Sequence, residues 1–138
     1  MNESDGEGER PAPLVAIINS SEGNASLLKQ ILEDAGLRTA VAYVPDLRRG
    51  QPDPTELLTE HDPRVIVYDV AVPYEESWDF LQSLRRLDAA RGRRFVLTTT
   101  NKRVLESMVG PTGTQELVEK PFDVEQILGA VRRALGQS

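Results

Sequence analysis

The chain of 138 residues contains no cysteine and a single histidine. The absence of cysteine excludes disulfides, thiolate catalysis and zinc–thiolate sites, and it agrees with a reducing compartment such as the cytoplasm. The histidine, His61, precedes Asp62-Pro63 at the end of a short predicted helix, where an imidazolium favours the helix dipole. We therefore expect neither thiol chemistry nor a histidine ligand.

Long apolar runs and an excess of positive charge are also missing. Residues 1–13 are acidic, contain glycine and have no apolar core, so we interpret them as a disordered leader and not as a signal peptide or membrane span. Sixteen Lys and Arg against 22 Asp and Glu give a net charge of -6, which disfavours nonspecific binding to nucleic acid. We expect a cytoplasmic protein that contacts neither membrane nor nucleic acid directly.

Short apolar runs alternate with helical patterns over residues 14–138. Runs of this kind are typical of buried parallel strands, and the length and 39% hydrophobic content suit one compact domain. Successive strand-then-helix units predict an α/β fold with a right-handed, doubly wound sheet. The predicted strands are Val15–Ile18, Arg38–Val44, Val65–Asp69, Phe95–Thr99 and a segment that ends at Lys120.

Polar residues that precede the helical patterns predict where the helices begin. Asn24 or Ser26 is the expected cap of the first helix, Ser77 of the helix after the third strand, and Asp123 of the last helix. The proline- and glycine-containing stretch Pro45–Pro54 predicts an irregular connection.

An acid, a hydroxyl and an amine stand at the ends of three predicted strands. These residues are Asp69, Thr99 and Lys120. Because the carboxyl ends of strands in a doubly wound sheet gather into one crevice, we expect the three side chains to meet. The first strand ends instead with Asn19-Ser20, which carries no negative charge.

These strand-end residues resemble the receiver domain of two-component response regulators. Asp69-Val70-Ala71-Val72-Pro73 is similar to the family's phosphoacceptor loop, an Asp with a Pro at the fourth following position. Thr99 has the place of the hydroxyl after the fourth strand, with a one-residue ambiguity toward Thr98 and Thr100. Lys120-Pro121-Phe122 resembles the family's Lys-Pro-Phe.

The resemblance covers about Leu14 to Leu135 and implies both a topology and a function. The implied fold is a five-stranded, flavodoxin-like parallel sheet with strand order 2-1-3-4-5. The implied function is signalling and not enzymatic turnover: a histidine kinase or phosphotransfer protein donates a phosphoryl group to Asp69 with the help of magnesium. Thr99 and Lys120 then contact the phosphoryl group. The resemblance leaves open whether the protein forms a homodimer.

The chain departs from the family at the residues that hold the ion. Two acids normally follow the first strand, but Asn19 and Ser20 occupy their places. Magnesium favours oxygen ligands that include carboxylates, so Asp69 with the Ala71 carbonyl makes a poor site. Glu22 is the nearby acid that remains as a substitute. We expect no tightly bound cofactor and at most weak Mg²⁺ binding.

Two further consequences concern Lys120 and Leu117. Without the acidic pair, Lys120 is free to approach Asp69 in a direct charge-assisted contact. Leu117 stands three residues before the lysine, where family members usually carry a Tyr or Phe ring that moves during switching. Leucine has no hydroxyl to exchange partners, so the usual switch is not predicted.

The leading interpretation is a receiver-like module with impaired or lost phosphorylation that acts through protein partners. One alternative is a scaffold or dimerisation module without phosphate chemistry. Another is a flavin-binding electron carrier, since Ser20–Ser26 faintly resembles the phosphate loop of flavodoxins. No aromatic ring after the fourth strand offers itself for stacking on a flavin, which counts against that alternative.

Overall fold

A computed structural model describes residues 12–109 and 116–136, and its centre is a five-stranded sheet. All neighbouring strands are parallel, and their spatial order, numbered along the chain, is 2-1-3-4-5. The predicted doubly wound fold and its order 2-1-3-4-5 are confirmed. The strands are β1 (Leu14–Asn19), β2 (Arg38–Tyr43), β3 (Val65–Val70), β4 (Arg94–Thr99) and β5 (Glu116–Glu119).

Helices cover both faces of the sheet. The first and the last of the described helices pack on one face, and those between them pack on the other. A short 3₁₀ turn, Asp88–Ala90, follows the fourth helix. The helices are α1 (Glu22–Asp34), α2 (Val44–Arg48), α3 (Pro54–His61), α4 (Tyr74–Arg85), α5 (Lys102–Val109) and α6 (Val124–Ala134). None of the helices within the described ranges is long and apolar enough to cross a membrane.

The alternation of side chains along the strands divides the core into two clusters. Every residue of β1 and β3 is buried, because these central strands are covered on both faces. Val67 belongs to the cluster under α1 and α6, and Tyr68 to the cluster on the opposite face. Asp69, the next residue, thus returns to the α1 and α6 face.

The beginnings of two helices differ from the sequence-based predictions. Helix α1 is capped by Ser21, whose side chain accepts from the Asn24 backbone N–H, so the predicted caps Asn24 and Ser26 are wrong. The reason is that β1 ends at Asn19 and the connection is very short. Helix α4 begins directly after Pro73. Ser77 therefore lies inside the helix and does not cap it.

The connection predicted over Pro45–Pro54 contains the short helix α2. Pro45 lies in its first turn, where a missing backbone N–H costs no hydrogen bond. The predicted cap of α6 is confirmed: the Asp123 carboxylate accepts from the Gln126 backbone N–H at 2.7 Å, and the Gln126 side chain accepts in return at 2.8 Å. The predicted leader lies outside the described residues except for Ala12 and Pro13.

Candidate functional site

The Asp69 carboxylate lies at the carboxyl edge of the sheet with a hydroxyl and an ammonium on the same oxygen. Thr98 Oγ1 donates to Asp69 Oδ1 at 2.5 Å, and Lys120 Nζ is 2.8 Å from that oxygen. No other hydrogen bond or ion pair reaches the carboxylate from the described residues. The acid and the amine of the predicted crevice therefore meet.

The hydroxyl that reaches Asp69 belongs to Thr98 and not to Thr99. Asp69 and Thr98 are direct partners in the pairing of β3 with β4, so their side chains leave the same face of the sheet. Thr99 points to the opposite face by strand alternation, and its Oγ1 accepts from the Asn101 backbone N–H at 3.2 Å. A contact of Thr99 with a phosphoryl group stays a prediction.

The pairing of Lys120 with Asp69 is a mostly buried ion pair. Only 5% of the Asp69 side chain and 21% of the Lys120 side chain are exposed. The backbone N–H of Lys120 donates to the Thr99 carbonyl at 2.8 Å, which fixes the start of the lysine side chain beside β4. A desolvated ammonium at this distance neutralises the carboxylate and makes a strong charge-assisted contact.

Asn19, the last residue of β1, and Ser20, the next residue, occupy the positions at which the sequence resemblance implies acids. The side chain of Asn19 is buried, and its Oδ1 accepts from the Ser21 backbone N–H at 2.9 Å, which shapes the turn into α1. Ser20 is exposed. Neither side chain ionises near neutral pH, so no negative charge joins Asp69 from β1.

Few acidic side chains lie near Asp69 in the described part of the chain. Among the residues that the structure describes, no group of three or more Asp, Glu, His or Cys side chains is placed to hold a metal ion. Glu22 is an exposed residue in the first turn of α1. The one carboxylate present is already paired with Lys120. Weak Mg²⁺ binding, through Asp69, the Ala71 carbonyl or Glu22, stays a prediction.

A buried hydroxyl network that sequence reasoning missed holds the loop after Asp69. Tyr68 is fully buried, and its hydroxyl donates to the Ser77 carbonyl at 2.9 Å. Ser77 Oγ accepts from the Ala71 backbone N–H at 3.3 Å. A tyrosine in an otherwise aliphatic buried strand signals such a network, because its hydroxyl needs a partner.

Removing the Tyr68 hydroxyl is expected to change how stability depends on pH. Burial raises the pKa of Tyr68 above its ordinary value of 10.0. A group whose pKa is raised by folding stabilises the protein below its unfolded pKa and loses that contribution as pH rises through the folded value. Tyr68→Phe should thus cost about 1 kcal/mol at neutral pH, and the cost should shrink above pH 10.

Denaturant unfolding of both proteins on either side of pH 10 measures this difference. Tyr43→Phe is the matched control, since the Tyr43 hydroxyl forms no hydrogen bond within residues 12–109 and 116–136. A gap between Tyr68→Phe and the unchanged protein that stays constant across the whole pH range contradicts the assignment.

A second hydroxyl pair joins the segments that follow β3 and β4. The hydroxyls of Tyr74, at the start of α4, and Thr100, after β4, are 2.9 Å apart. The sequence alone does not bring these two residues together. Their bridge ties the loop after β3 to the loop after β4.

The residue three positions before Lys120 is aliphatic and packs against the core. Leu117 is the partner of Leu97 in the pairing of β4 with β5, and it packs against the cluster that includes Leu105. No hydroxyl is available there to form the hydrogen bonds that a tyrosine makes. The consequence of Leu117 for switching stays a prediction.

An apolar groove opens beside the ion pair. It has a volume of about 350 Å³ and passes between α1 and the segment that follows β5. Leu27 of α1 lines it with 55% of its surface exposed. Phe122 and Pro121 form the opposite wall, and Lys120 and Thr98 lie at its inner end.

The sequence is similar to that of a known response regulator over most of its length. No family model matches the chain. Response regulator Rre1 from Synechocystis is 24% identical over 122 residues, which is 88% of this chain and 51% of that protein. The chain thus spans about half the length of this relative.

Several solved structures share the fold of this chain. Chemotaxis protein CheY4 from Vibrio cholerae superposes with a TM-score of 0.68 at 21% identity, over 89% of this chain and 98% of that one. A sensor protein from Polaromonas sp. reaches 0.74 at 20% identity, with 91% and 98% covered. A signal receiver domain from Clostridium thermocellum reaches 0.71 at 18% identity, with 89% and 97% covered. The receiver-like fold that the strand-end motifs imply is therefore confirmed.

Proposed function

We propose that this receiver-like chain is a signalling module in which Lys120 balances the negative charge of the phosphoacceptor position, Asp69. Magnesium-dependent phosphorylation is impaired or lost as a result, and the module acts through protein partners. The observation that carries this proposal is the pair of donors, Thr98 Oγ1 and Lys120 Nζ, on the same carboxylate oxygen. Asn19 and Ser20 at the acid positions support it.

Phosphoryl transfer to a carboxylate needs cations to balance the charge that gathers in the transition state. Lys120 supplies one positive charge, and this charge already balances the Asp69 carboxylate in the ground state. The described residues place no cluster of three or more Asp, Glu, His or Cys side chains there to attract a divalent ion before a phosphodonor arrives. Stabilising the ground state in this way lowers reactivity, because only interactions that strengthen in the transition state accelerate a reaction.

The groove beside Lys120 supports a protein as the partner. Its walls are apolar, and the exposed Leu27 adds apolar surface whose burial by a partner is favourable. An apolar side chain from a partner helix fits such a groove, and the partner then faces the inner end where Lys120 and Thr98 lie. A histidine kinase or a phosphotransfer protein is the partner class that we propose.

Incubation with a small phosphodonor and magnesium, followed by intact-mass measurement, tests the proposal. We expect the unchanged protein to gain at most a small fraction of one phosphoryl group, and the Asp69→Asn variant to gain none. Rapid, near-complete modification that Asp69→Asn abolishes contradicts impaired phosphorylation. Equal small gains by both proteins place the modification elsewhere.

A scaffold or dimerisation function is the second candidate. It is favoured by the self-contained ion pair, since Asp69 already has its charge balanced without a phosphoryl group. Sedimentation of the unchanged protein and of Asp69→Asn distinguishes the two functions when repeated with the phosphodonor. If the association state changes neither with the phosphodonor nor with Asp69→Asn, the result supports the scaffold. A colourless purified protein removes the flavin-binding alternative.

A further inference from the structure

Six arginines line two adjoining concavities at the edge of the sheet opposite Asp69. The smaller concavity has a volume of about 250 Å³ and the larger about 470 Å³, and they share the wall Arg91–Arg94. The acids that line them are Asp62 and Glu116. A chain with a net charge of -6 thus gathers a strongly positive surface in one place. The six arginines are Arg64, Arg85, Arg91, Arg93, Arg94 and Arg133.

Two of these arginines have a clear structural role. The Arg93 guanidinium donates to the Asp62 carboxylate at 2.7 Å and to the carbonyls of Pro63 and Leu58 at 2.8 and 3.1 Å. Arg64 donates to the Leu135 carbonyl at the end of α6 at 3.2 Å. Both side chains satisfy carbonyls that the sheet edge and helix ends leave without partners.

Among the described residues, the other arginines bind no such carbonyls. Arg85 donates to Gln82 Oε1 at 3.2 Å and lies over the Phe95 ring, 5.9 Å from its centroid. Arg133 pairs with Glu116 at 3.0 Å, and Arg91 has only a long, exposed contact with Asp88 at 3.4 Å. The Arg94 backbone N–H donates to the Arg64 carbonyl at 3.1 Å, but its guanidinium forms no hydrogen bond, ion pair or ring contact with any residue in the described part of the chain. Like charges gathered in a concavity repel one another, and an anion between them relieves that repulsion.

We propose that these concavities bind a small oligophosphate, such as triphosphate, either free or as part of a nucleotide. All six cations are arginines, whose planar forks match phosphate oxygens in pairs. The surface is concave and of ligand size, which favours a compact anion over an extended acidic protein segment. The lining is dominated by charged groups, so the phosphates and not an apolar part of the ligand provide the binding energy.

Calorimetric titration of the full chain with tripolyphosphate tests the site. Arg94→Gln removes one cation without breaking a contact inside the protein, so the fold is preserved. We expect it to weaken binding about tenfold, the loss of one charge-assisted hydrogen bond pair. Arg103→Gln is the matched control, because it removes the same charge from an exposed position on α5 outside both concavities. Its affinity should stay within about twofold of the unchanged protein.

Three results overturn the proposal. The first is no heat of binding at millimolar tripolyphosphate. The second is equal weakening by Arg94→Gln and Arg103→Gln, which indicates general charge attraction only. The third is tighter binding of a short polyglutamate peptide than of tripolyphosphate, which assigns the surface to an acidic protein segment. Titration with adenosine triphosphate and with free triphosphate distinguishes the two sources of the ligand.

Discussion

Replacing Lys120 with methionine is expected to lower the free energy of unfolding by about 3 kcal/mol. The Asp69 side chain is almost completely buried, and after the substitution Thr98 is its one remaining donor among residues 12–109 and 116–136. A buried carboxylate without its cation keeps the full cost of desolvation. Methionine retains most of the lysine's apolar stem, so lost packing contributes little. Chemical denaturation at neutral pH measures the loss.

Two further variants make this result specific to the buried pair. Lys29→Met breaks the exposed pair of Lys29 with Glu33, and it should cost about 0.5 kcal/mol or less. The double variant Asp69→Asn/Lys120→Met removes both charges, and it should be more stable than Lys120→Met alone. If Lys120→Met costs no more than Lys29→Met, then the ion pair does not neutralise Asp69 in solution.

The residues that gather at the crevice were predictable because strand ends in a doubly wound sheet fall on one edge. Asp69, Lys120 and Asn19 each follow a recognisable apolar run, so their meeting needs only the topology. The choice between Thr98 and Thr99 needs more. It depends on the register that pairs Asp69 with Thr98, and a shift of one residue exchanges the two faces.

Other contacts depend on how the helices dock, which strand patterns do not encode. The bridge between Tyr74 and Thr100 joins residues 26 apart in the chain, and neither residue stands out in its own segment. The arginine-lined concavities combine residues from the ends of α4 and α6, from the segment before β3 and from the start of β4. In the sequence these arginines are dispersed among acids, so only the folded arrangement reveals their concentration.

Restoring the acidic pair with Asn19→Asp/Ser20→Asp is expected to create a magnesium site. Each added carboxylate attracts a unit positive charge about 4 Å away by on the order of 4 kcal/mol at an effective dielectric near 20, before desolvation offsets part of the gain. A net gain of about 1.4 kcal/mol already tightens binding tenfold, so we expect Mg²⁺ affinity to rise at least that much. Titration followed by Trp78 fluorescence measures it.

The charge-matched control adds two negative charges on α1 instead of at the end of β1. Ser26→Asp/Gln30→Glu alters exposed positions of that helix and should leave the Mg²⁺ affinity within about twofold. With magnesium and the small phosphodonor, the restored variant should also gain more phosphoryl mass than the unchanged protein. If its Mg²⁺ affinity rises while phosphorylation does not, then the missing acids are not what limits the chemistry. The ion pair of Lys120 with Asp69 is then the barrier, because bound magnesium has not released the carboxylate oxygen that must attack phosphorus.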